Sequence, residues 1–235
     1  MNILIYNEGV HDKEEWMKKV YPDGIHGALK QALNDLGNIT ITILDDVEEI
    51  VTEECLNKTD VMLWWGHCAH GSVPDKVAEL VHSAVLKGMG FIALHSAHLS
   101  KPLVRILGTS CTLKWRDDDR ERIWVTAPFH PIAQGLPEYF ELNQEEMYGE
   151  FFDIPKPDDV IFTGWFAGGE VFRSGCTFSR GYGRIFYFQP GHEAFPTYYN
   201  ENVVKILKNA VKWASSSVRR EVIGCPNVQS LETKQ

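Results

Sequence analysis

The stretch "GMGFIALHSAH" (residues 88–98) contains a short apolar run that ends at Leu94 and is followed at once by polar residues. A run of this length after glycines predicts a buried strand that turns sharply into a helix. In many α/β enzymes such a turn presents a nucleophile, because it exposes one side chain at the end of the sheet. Here the candidate positions hold His95 and Ser96, so the fold prediction raises a question about the role of His95.

Short apolar runs of the same kind alternate with helix-length stretches through the first half of the chain. The runs are rich in β-branched and aromatic residues, and the stretches between them repeat apolar residues every three or four positions. This order predicts right-handed crossovers and an α/β fold with a doubly wound, mostly parallel sheet, in a flavodoxin-like strand order. The predicted strands are 2–6, 39–44, 61–65 and 91–94, and the predicted helices lie in 27–37, 48–57 and 74–88.

The second half of the chain is β-rich. The glycine-rich "RGYGR" (180–184) suits a hairpin turn, and an amphipathic helix over 201–214 closes the fold. We predict a single domain over 1–214, followed by a polar tail, 215–235, that packs peripherally. The strands predicted in this half are 112–115, 122–127, 160–166, 170–175, 176–180 and 184–188.

Charge and composition restrict the partners of the protein. There are 23 Lys and Arg against 32 Asp and Glu, which gives a net charge of −9 without long blocks of either sign. Nucleic acids and anionic membranes need a basic face, so a small molecule is the expected partner, with no nucleic acid and no membrane. Five scattered cysteines without a CxxC, and a start without a signal-peptide pattern, predict a reduced, cytoplasmic protein. Whether it forms a homo-oligomer stays open.

Histidines are concentrated directly after three predicted strands. The carboxyl ends of parallel strands meet at one edge of the sheet, where functional groups gather. Two His-x-x-His pairs, placed on the first turn of a helix, would direct both rings the same way. The alternative for each is a structural histidine that hydrogen-bonds a loop carbonyl. The residues are His67 and His70, His95 and His98, and His192 with Glu193.

Two charged stretches supply further candidates. The first, "NQEEMYGEFFDIP" (143–155), is typical of a solvated charge run, but its interleaved apolar residues draw at least one carboxylate inward. We take Glu146 as that carboxylate and as a candidate metal ligand or acid/base. The second, "KWRDDDRER" (114–122), is expected to be an exposed loop with internal ion pairs, in which Arg116 is a candidate substrate contact.

With these motifs in place, the chain resembles the ThuA-like (trehalose utilisation) family, a branch of the class I glutamine amidotransferase-like fold. The resemblance covers nearly all of residues 1 to about 214. It is carried by "WWGHCAHGSVPDKV" (64–77), "GMGFIALHSAHLSKP" (88–102), "HPIAQGLPEYFELNQEEMYGE" (130–150) and "GRIFYFQPGHE" (183–193).

The resemblance gives His95 a place in a known architecture. In the amidotransferase relatives, the elbow after this strand carries a cysteine nucleophile, and a later His and Glu activate it. The resemblance implies that His95 takes the place of the cysteine, while His192 and Glu193 lie near the places of its partners. Glutamine amidotransferase activity is therefore not expected. The family also implies a sugar-related substrate, either a disaccharide or an oxidised keto-sugar.

A histidine at the elbow can bind a divalent metal or transfer protons near neutral pH. His67, His95, Glu146 and His192, or three of them with water, would form the open nitrogen and oxygen site that zinc uses in catalysis. His70 is a further candidate ligand. We predict zinc or a related ion as the cofactor and no nucleotide cofactor. Such an ion polarises the carbonyl of a keto-sugar, while a His or Glu moves a proton on the adjacent carbon.

These residues define the functional hypotheses. The first is a carbohydrate-metabolism enzyme, a metal-dependent isomerase, lyase or hydrolase of sugars. The second is a non-catalytic sugar-binding or regulatory module on a degenerate amidotransferase scaffold, and a third keeps hydrolase or amidotransferase chemistry through Ser96 or a cysteine. The candidate catalytic residues are His95, His192, Glu146 and Glu193, and the candidate substrate-binding residues are Trp65, His98, Arg116 and Tyr148.

Overall fold

The computed structural model of the protein describes residues 1–215, 218–220 and 224–233. The strands are β1 (Asn2–Asn7), β2 (Asn38–Ile43), β3 (Val61–Trp65), β4 (Gly90–Leu94), β5 (Lys114–Val125), β6 (Tyr139–Gly149), β7 (Asp159–Phe166), β8 (Val171–Arg180) and β9 (Gly183–Phe188). The helices are α1 (Glu15–Val20), α2 (Gly24–Leu33), α3 (Val47–Ile50), α4 (Glu53–Lys58), α5 (Asp75–Leu86), α6 (Lys101–Leu107) and α7 (Glu201–Ala214).

The nine strands form one sheet in the order β2-β1-β3-β4-β9-β8-β7-β5-β6. The first five strands in this order are parallel and have the flavodoxin-like arrangement, with β9 as the fifth strand. The other four pair antiparallel and extend the sheet on the side of β9. The predicted doubly wound α/β fold with a β-rich second half is therefore confirmed.

Alternation along the strands divides the apolar core between the two faces of the sheet. On β1, Ile3 and Ile5 pack with residues of α2 and α7, while Leu4 and Tyr6 pack on the other face with residues of α5 and α6. Successive side chains of a strand point to opposite faces, so a strand covered on both faces is apolar throughout. This is why the parallel strands were recognisable as continuous apolar runs.

Several boundaries differ from the prediction. The segment 114–122, expected to be an exposed loop, belongs to β5, which also joins the separately predicted strands 112–115 and 122–127. Most of its charged side chains remain at least partly exposed, while the two buried carboxylates have partners: Ser174 Oγ donates to Glu121 and Arg116 pairs with Asp119. The predicted strands 170–175 and 176–180 form the single strand β8. The helix predicted in 48–57 is divided into α3 and α4, because the Thr52 side chain caps α4 by accepting from the Cys55 amide.

The segment 143–155 contributes a strand, β6, that the sequence did not reveal. It lies at the edge of the sheet beside β5, and it buries both Glu145 and Glu146. The predicted helix over 201–214 is confirmed as α7. The prediction of a polar tail over 215–235 falls partly on residues 216–217, 221–223 and 234–235, which lie outside the described residues.

The end of β6 is fixed to β8 by a bidentate ion pair. Arg173 Nε donates to Glu150 Oε1 at 2.7 Å and Nη2 donates to Oε2 at 2.8 Å, while Nη2 also donates to the Phe152 carbonyl. Burial disfavours ionisation of Glu150, but the Arg173 guanidinium outweighs it and lowers the pKa of this carboxyl. The pair therefore helps to position the strand that carries Glu146 into the site described below.

Replacing Arg173 by methionine is expected to lower the free energy of unfolding by about 1 kcal/mol at pH 7, since the pair is partly buried but still screened by solvent. Because the folded pKa of Glu150 is lowered, the contribution is present above about pH 4.5 and is lost as the pH falls through the folded pKa. Urea denaturation at pH 7 and at low pH measures this. Arg105→Met, which removes the exposed pair with Glu79, is the matched control. Equal losses in the two variants would contradict the prediction.

Candidate functional site

The elbow after β4 has the strained geometry expected of a functional position. His95 begins a 3₁₀ turn, His95–Leu99, with φ of 54°, in the left-handed region that non-glycine residues rarely adopt. Its side chain is fully buried, with 0% exposure. A strained residue of this kind persists only where its surroundings hold it, and such residues concentrate at functional sites. His95, which the family resemblance places at the nucleophile position, therefore has a strained backbone conformation.

The ring of His95 is oriented by a short hydrogen bond to the main chain, and the Tyr148 hydroxyl lies 3.5 Å from its Nε2. Its Nδ1 lies 2.9 Å from the main-chain carbonyl oxygen of Gln189, which only accepts, so Nδ1 carries the hydrogen. The other nitrogen, Nε2, faces the Glu146 carboxylate, with 3.0 Å between Nε2 and Oε2. This approach is off the axis of a hydrogen bond, and Oε2 has no hydrogen-bond partner among the described residues.

Four side chains converge at this point. The ligand atoms of His67, His95, Glu146 and His192 all lie within 4.8 Å of one another. Three of them follow the carboxyl ends of β3, β4 and β9, and Glu146 comes from β6, which returns to the same edge. These are the four residues that the sequence indicated as an open metal site, and their convergence supports that prediction.

The chemistry of this donor set fits a divalent metal such as zinc. Nitrogen and oxygen ligands about 2.0–2.1 Å from a tetrahedral zinc lie roughly 3.3 Å from each other. The distance between His95 Nε2 and Glu146 Oε2 is 3.0 Å. His67 Nδ1 lies 2.6 Å from Glu193 Oε1, although this contact, like that of His95 with Glu146, is off the axis of a hydrogen bond. Metal-bound histidines usually have such a partner, either a carboxylate or a main-chain carbonyl, and His95 has the latter.

His192 differs from the other two histidines. The main-chain N–H of Ala194 donates to its Nδ1 at 3.1 Å, so in the neutral ring the hydrogen lies on Nε2. Burial, with the nearby charge of His95, lowers the pKa of His192 to about 4, so the ring is neutral at pH 7. In that form Nε2 is a hydrogen-bond donor, which suits contact with a substrate oxygen better than metal binding.

The protonation of the His95 and Glu146 pair follows from their mutual contact. Burial disfavours the charged form of each group. The Glu146 carboxylate outweighs this and raises the pKa of His95, while His95 lowers the pKa of Glu146. Without a metal, the two groups therefore form a buried ion pair.

A cavity of about 300 Å³ opens beside this cluster. Its volume is at the lower end of the range of small-molecule sites. His98 lines it, and its Nδ1 donates to the Cys111 carbonyl at 2.7 Å, which leaves Nε2 as an acceptor. Burial lowers the pKa of His98 to about 4. The cavity is lined by His67, Ser96, His98, Leu99, Thr112, Leu113, Trp115, Asp117, Glu146 and Tyr148.

Two of the four predicted substrate-binding residues, His98 and Tyr148, line this cavity. Tyr148 stacks on His95, with 5.2 Å between ring centroids, and its hydroxyl lies 2.6 Å from Ser96 Oγ. Trp65 is buried instead, and its indole N–H donates to the Gly191 carbonyl.

His95 and His192 belong to the four-residue cluster but do not line the cavity, and Arg116, His70 and Glu193 belong to neither. Arg116 pairs with Glu170 at 2.6 Å and with Asp119. His70 lies outside the four-residue cluster, and its Nε2 has no hydrogen-bond partner among the described residues. Glu193 contacts the Nδ1 atom of His67. Burial disfavours its ionisation, but His67 and the nearby histidines outweigh burial and hold the pKa of this carboxyl at about 2.

Sequence reasoning missed Glu145, whose buried carboxylate supports the site. It accepts from the amides of Gly191 and His192 at 3.0 Å each, from Thr197 Oγ1 at 2.7 Å and from the Glu146 amide at 3.1 Å. The carboxylate therefore holds the loop that carries His192 against the strand that carries Glu146. Its position beside Glu146 in an acidic stretch gave no signal of this role.

Two further residues were missed. Glu8, after β1, accepts from the amides of Cys68 and Ala69 at 3.0 Å each and so fixes the loop that carries His67. His11 lies with its Nδ1 2.9 Å from Glu193 Oε1. Both residues follow the carboxyl end of β1, which lies at the same edge of the sheet as the ends of β3 and β4. This position was the signal that the sequence offered for both.

The sequence model of the ThuA family, described as trehalose utilisation, matches residues 2–214. No curated protein matches this chain. None of the helices within the described ranges is long and apolar enough to cross a membrane.

Among solved structures, the chain is similar to a ThuA-like protein of Parabacteroides merdae, with a TM-score of 0.67 and 16% identity, over 94% of this chain and 92% of that one. A cytoplasmic protein of Salmonella typhimurium LT2 has a TM-score of 0.65 at 14% identity, over 92% and 100%. A glutamine amidotransferase of Thermotoga maritima has a TM-score of 0.52 at 12% identity, over 90% and 96%. At these identities the structural likeness concerns the fold alone.

Proposed function

The chain belongs to the ThuA (trehalose utilisation) family, and from this premise we propose that it is a cytoplasmic enzyme of carbohydrate metabolism that acts on a keto-sugar or disaccharide at a metal site. The observation that carries the proposal is the convergence of His67, His95, Glu146 and His192 beside a cavity. The proposed partner is a small sugar, with no nucleic acid and no nucleotide cofactor, and homo-oligomer formation is left to measurement.

We assign the metal to His67, His95 and Glu146. Two features support this: His95 Nε2 and Glu146 Oε2 approach each other off the hydrogen-bond axis, and the second nitrogen of His95 donates to the Gln189 carbonyl. Three protein ligands with one open position are the usual composition of a catalytic zinc site. A bound zinc ion would supply a Lewis acid that polarises a sugar carbonyl.

The remaining groups then have separate tasks. His192, neutral with its hydrogen on Nε2, donates a hydrogen bond to the substrate oxygen that gains negative charge. His98 accepts from a sugar hydroxyl through Nε2. Together with a metal that would polarise the carbonyl, these two hydrogen bonds suit an isomerase or lyase reaction of a keto-sugar.

Ser96 is poorly suited to be a nucleophile. Its hydroxyl is paired with the Tyr148 hydroxyl at 2.6 Å, and within the described residues no histidine is hydrogen-bonded to it. A serine needs an adjacent base to become a nucleophile. Hydrolase or amidotransferase chemistry through Ser96 is thus the weaker candidate.

The test is the zinc content of protein that has been stripped with a chelator and reloaded, together with turnover of a keto-disaccharide. We expect about one zinc per chain and turnover that requires it. Absence of both zinc uptake and turnover would overturn the proposal. Sugar binding that is unaffected by chelator and occurs without turnover would favour the non-catalytic binding module instead.

Zinc affinity is expected to fall as the pH is lowered through the pKa of His95. The pKa of His95 is raised from its ordinary 6.5 by Glu146, so its Nε2 holds a proton that must leave before zinc binds. Affinity therefore rises with pH through this pKa and levels off above it. Calorimetric titration at three pH values, in buffers of different ionisation enthalpy, is expected to show release of about one proton. His82→Gln, a change on α5, is the control that keeps this dependence, and a pH-independent affinity would contradict the assignment.

A further inference from the structure

The cavity has a buried inner end and an exposed outer end. At the inner end, Glu146 and Tyr148 are almost fully buried beside the metal-ligand cluster. At the outer end, Trp115 is 60% exposed and Leu99 is 42% exposed, although both line the same cavity. A large aromatic side chain left exposed at the mouth of a cavity is typical of a ligand contact.

Strand alternation explains why Trp115 faces the cavity and Arg116 does not. Leu113, Trp115 and Asp117 all line the cavity, as every second residue of a strand shares one face. Arg116 points to the other face, where it pairs with Glu170. Trp115 lies directly opposite Tyr148 in the β5–β6 pairing, so the two rings belong to the same wall.

An irregularity in β5 ends this wall at Asp117. The register of the β5–β6 pair shifts between Arg116 and Asp119, and Asp118 has a φ of 55°. Bulges of this kind re-aim side chains and are common next to active sites. Asp117 is therefore the last side chain of the wall, and it places an exposed carboxylate two residues from the indole of Trp115.

We propose that Trp115 and Asp117 form a pyranose subsite at the outer end of the cavity. The flat indole packs against the C–H face of a sugar ring, and the carboxylate accepts hydrogen bonds from hydroxyls on the rim of that ring. The inner end of the sugar then lies toward His67 and Glu146. The assignment rests on the proposed function and names the part of the site that selects ring sugars. A cavity of about 300 Å³ suits a short sugar rather than a polymer.

The test compares sugar binding by variants of the full chain, followed by ligand-observed NMR or calorimetry. The probes are methyl α-D-glucopyranoside and trehalose, with the acyclic polyol sorbitol as a probe without a flat C–H face. Trp115→Ala is expected to weaken glucoside binding about tenfold, and Trp115→Phe only about two- to threefold, since phenylalanine keeps a flat ring. Asp117→Asn is expected to weaken it less than Trp115→Ala. Phe129→Ala, which removes an aromatic side chain that is 95% exposed and outside the cavity wall, is expected to change nothing.

Three results would overturn the subsite: unchanged glucoside affinity in Trp115→Ala, equal binding of sorbitol and glucoside, or no binding of either cyclic sugar by the unaltered protein. Thermal melting of both Trp115 variants checks that they are folded.

Zinc uptake measured in the same samples separates this proposal from the metal site. Sugar binding that depends on Trp115 in protein that takes up no zinc would refute the metal site and keep the subsite. Normal zinc uptake with sugar binding that does not depend on Trp115 would refute the subsite and keep the metal site.

Discussion

Replacing His95 by asparagine is expected to lower zinc affinity at least about 100-fold and to abolish metal-dependent turnover. Substitutions that only disturb the partner of a metal-bound histidine already cost about 10–100-fold, and here a ligand itself is removed. Asparagine is the appropriate replacement because, among non-glycine residues without an imidazole, it is one of those that best tolerate the left-handed conformation, with φ of 54°.

A parallel His95→Ala variant separates loss of the ligand from backbone strain. Alanine at this φ adds strain, so this variant is expected to be less stable than His95→Asn while losing zinc to the same degree. His82→Asn, a histidine substitution on α5 outside the cluster, is the matched control. Competition with a chromophoric chelator measures the affinities, and zinc affinity within about threefold of the unaltered protein in His95→Asn would remove His95 from the ligand set.

Replacing Glu145 by leucine is expected to lower the free energy of unfolding by about 4 kcal/mol. The carboxylate accepts from three main-chain amides and from the Thr197 hydroxyl, and leucine would leave all four donors buried without a partner. For a chain of this length the loss corresponds to a melting temperature lower by roughly 10 °C. Zinc affinity is expected to fall as well, because the loop carrying His192 loses its anchor to the strand carrying Glu146.

The control for this prediction lies on the same strand. Glu141→Leu removes a carboxylate that pairs with Arg120 and Arg122 near the surface, and it is expected to cost no more than about 1 kcal/mol. Glu145→Gln keeps one acceptor oxygen and is expected to be intermediate. Denaturation curves with similar midpoints for Glu145→Leu and Glu141→Leu would show that the buried carboxylate does not hold the loop.

The different tasks of the neighbouring carboxylates Glu145 and Glu146 could not be predicted from the sequence. The apolar residues around them indicate that at least one is drawn inward, and we take Glu146 as that carboxylate and as a candidate metal ligand or acid/base. Both are buried, however, and they serve different tasks. Neither their identity nor their spacing distinguishes a carboxylate that faces a cavity from one that receives main-chain amides, because those amides come from residues about 46 positions away.

The segment 114–122 is the clearest wrong prediction. Its density of charge is typical of a solvated loop, and this favoured Arg116 as the substrate contact. As part of a strand, the same residues alternate between two faces, so Trp115 and Asp117 reach the cavity while Arg116 pairs with Glu170. The pairing of β5 with β6 and β7, which is made by residues distant in the chain, decided this.

The sequence by itself determined the parallel half of the fold and the position of its functional edge. Apolar periodicity is local, and the carboxyl ends of parallel strands must meet, so His67, His95 and His192 could be placed together from the order of the strands alone. Only the tertiary structure decided which nitrogen of each ring is free and which side chains close the cavity. Those properties depend on contacts such as that between His95 and the carbonyl of Gln189, 94 residues apart, for which local pattern carries no information.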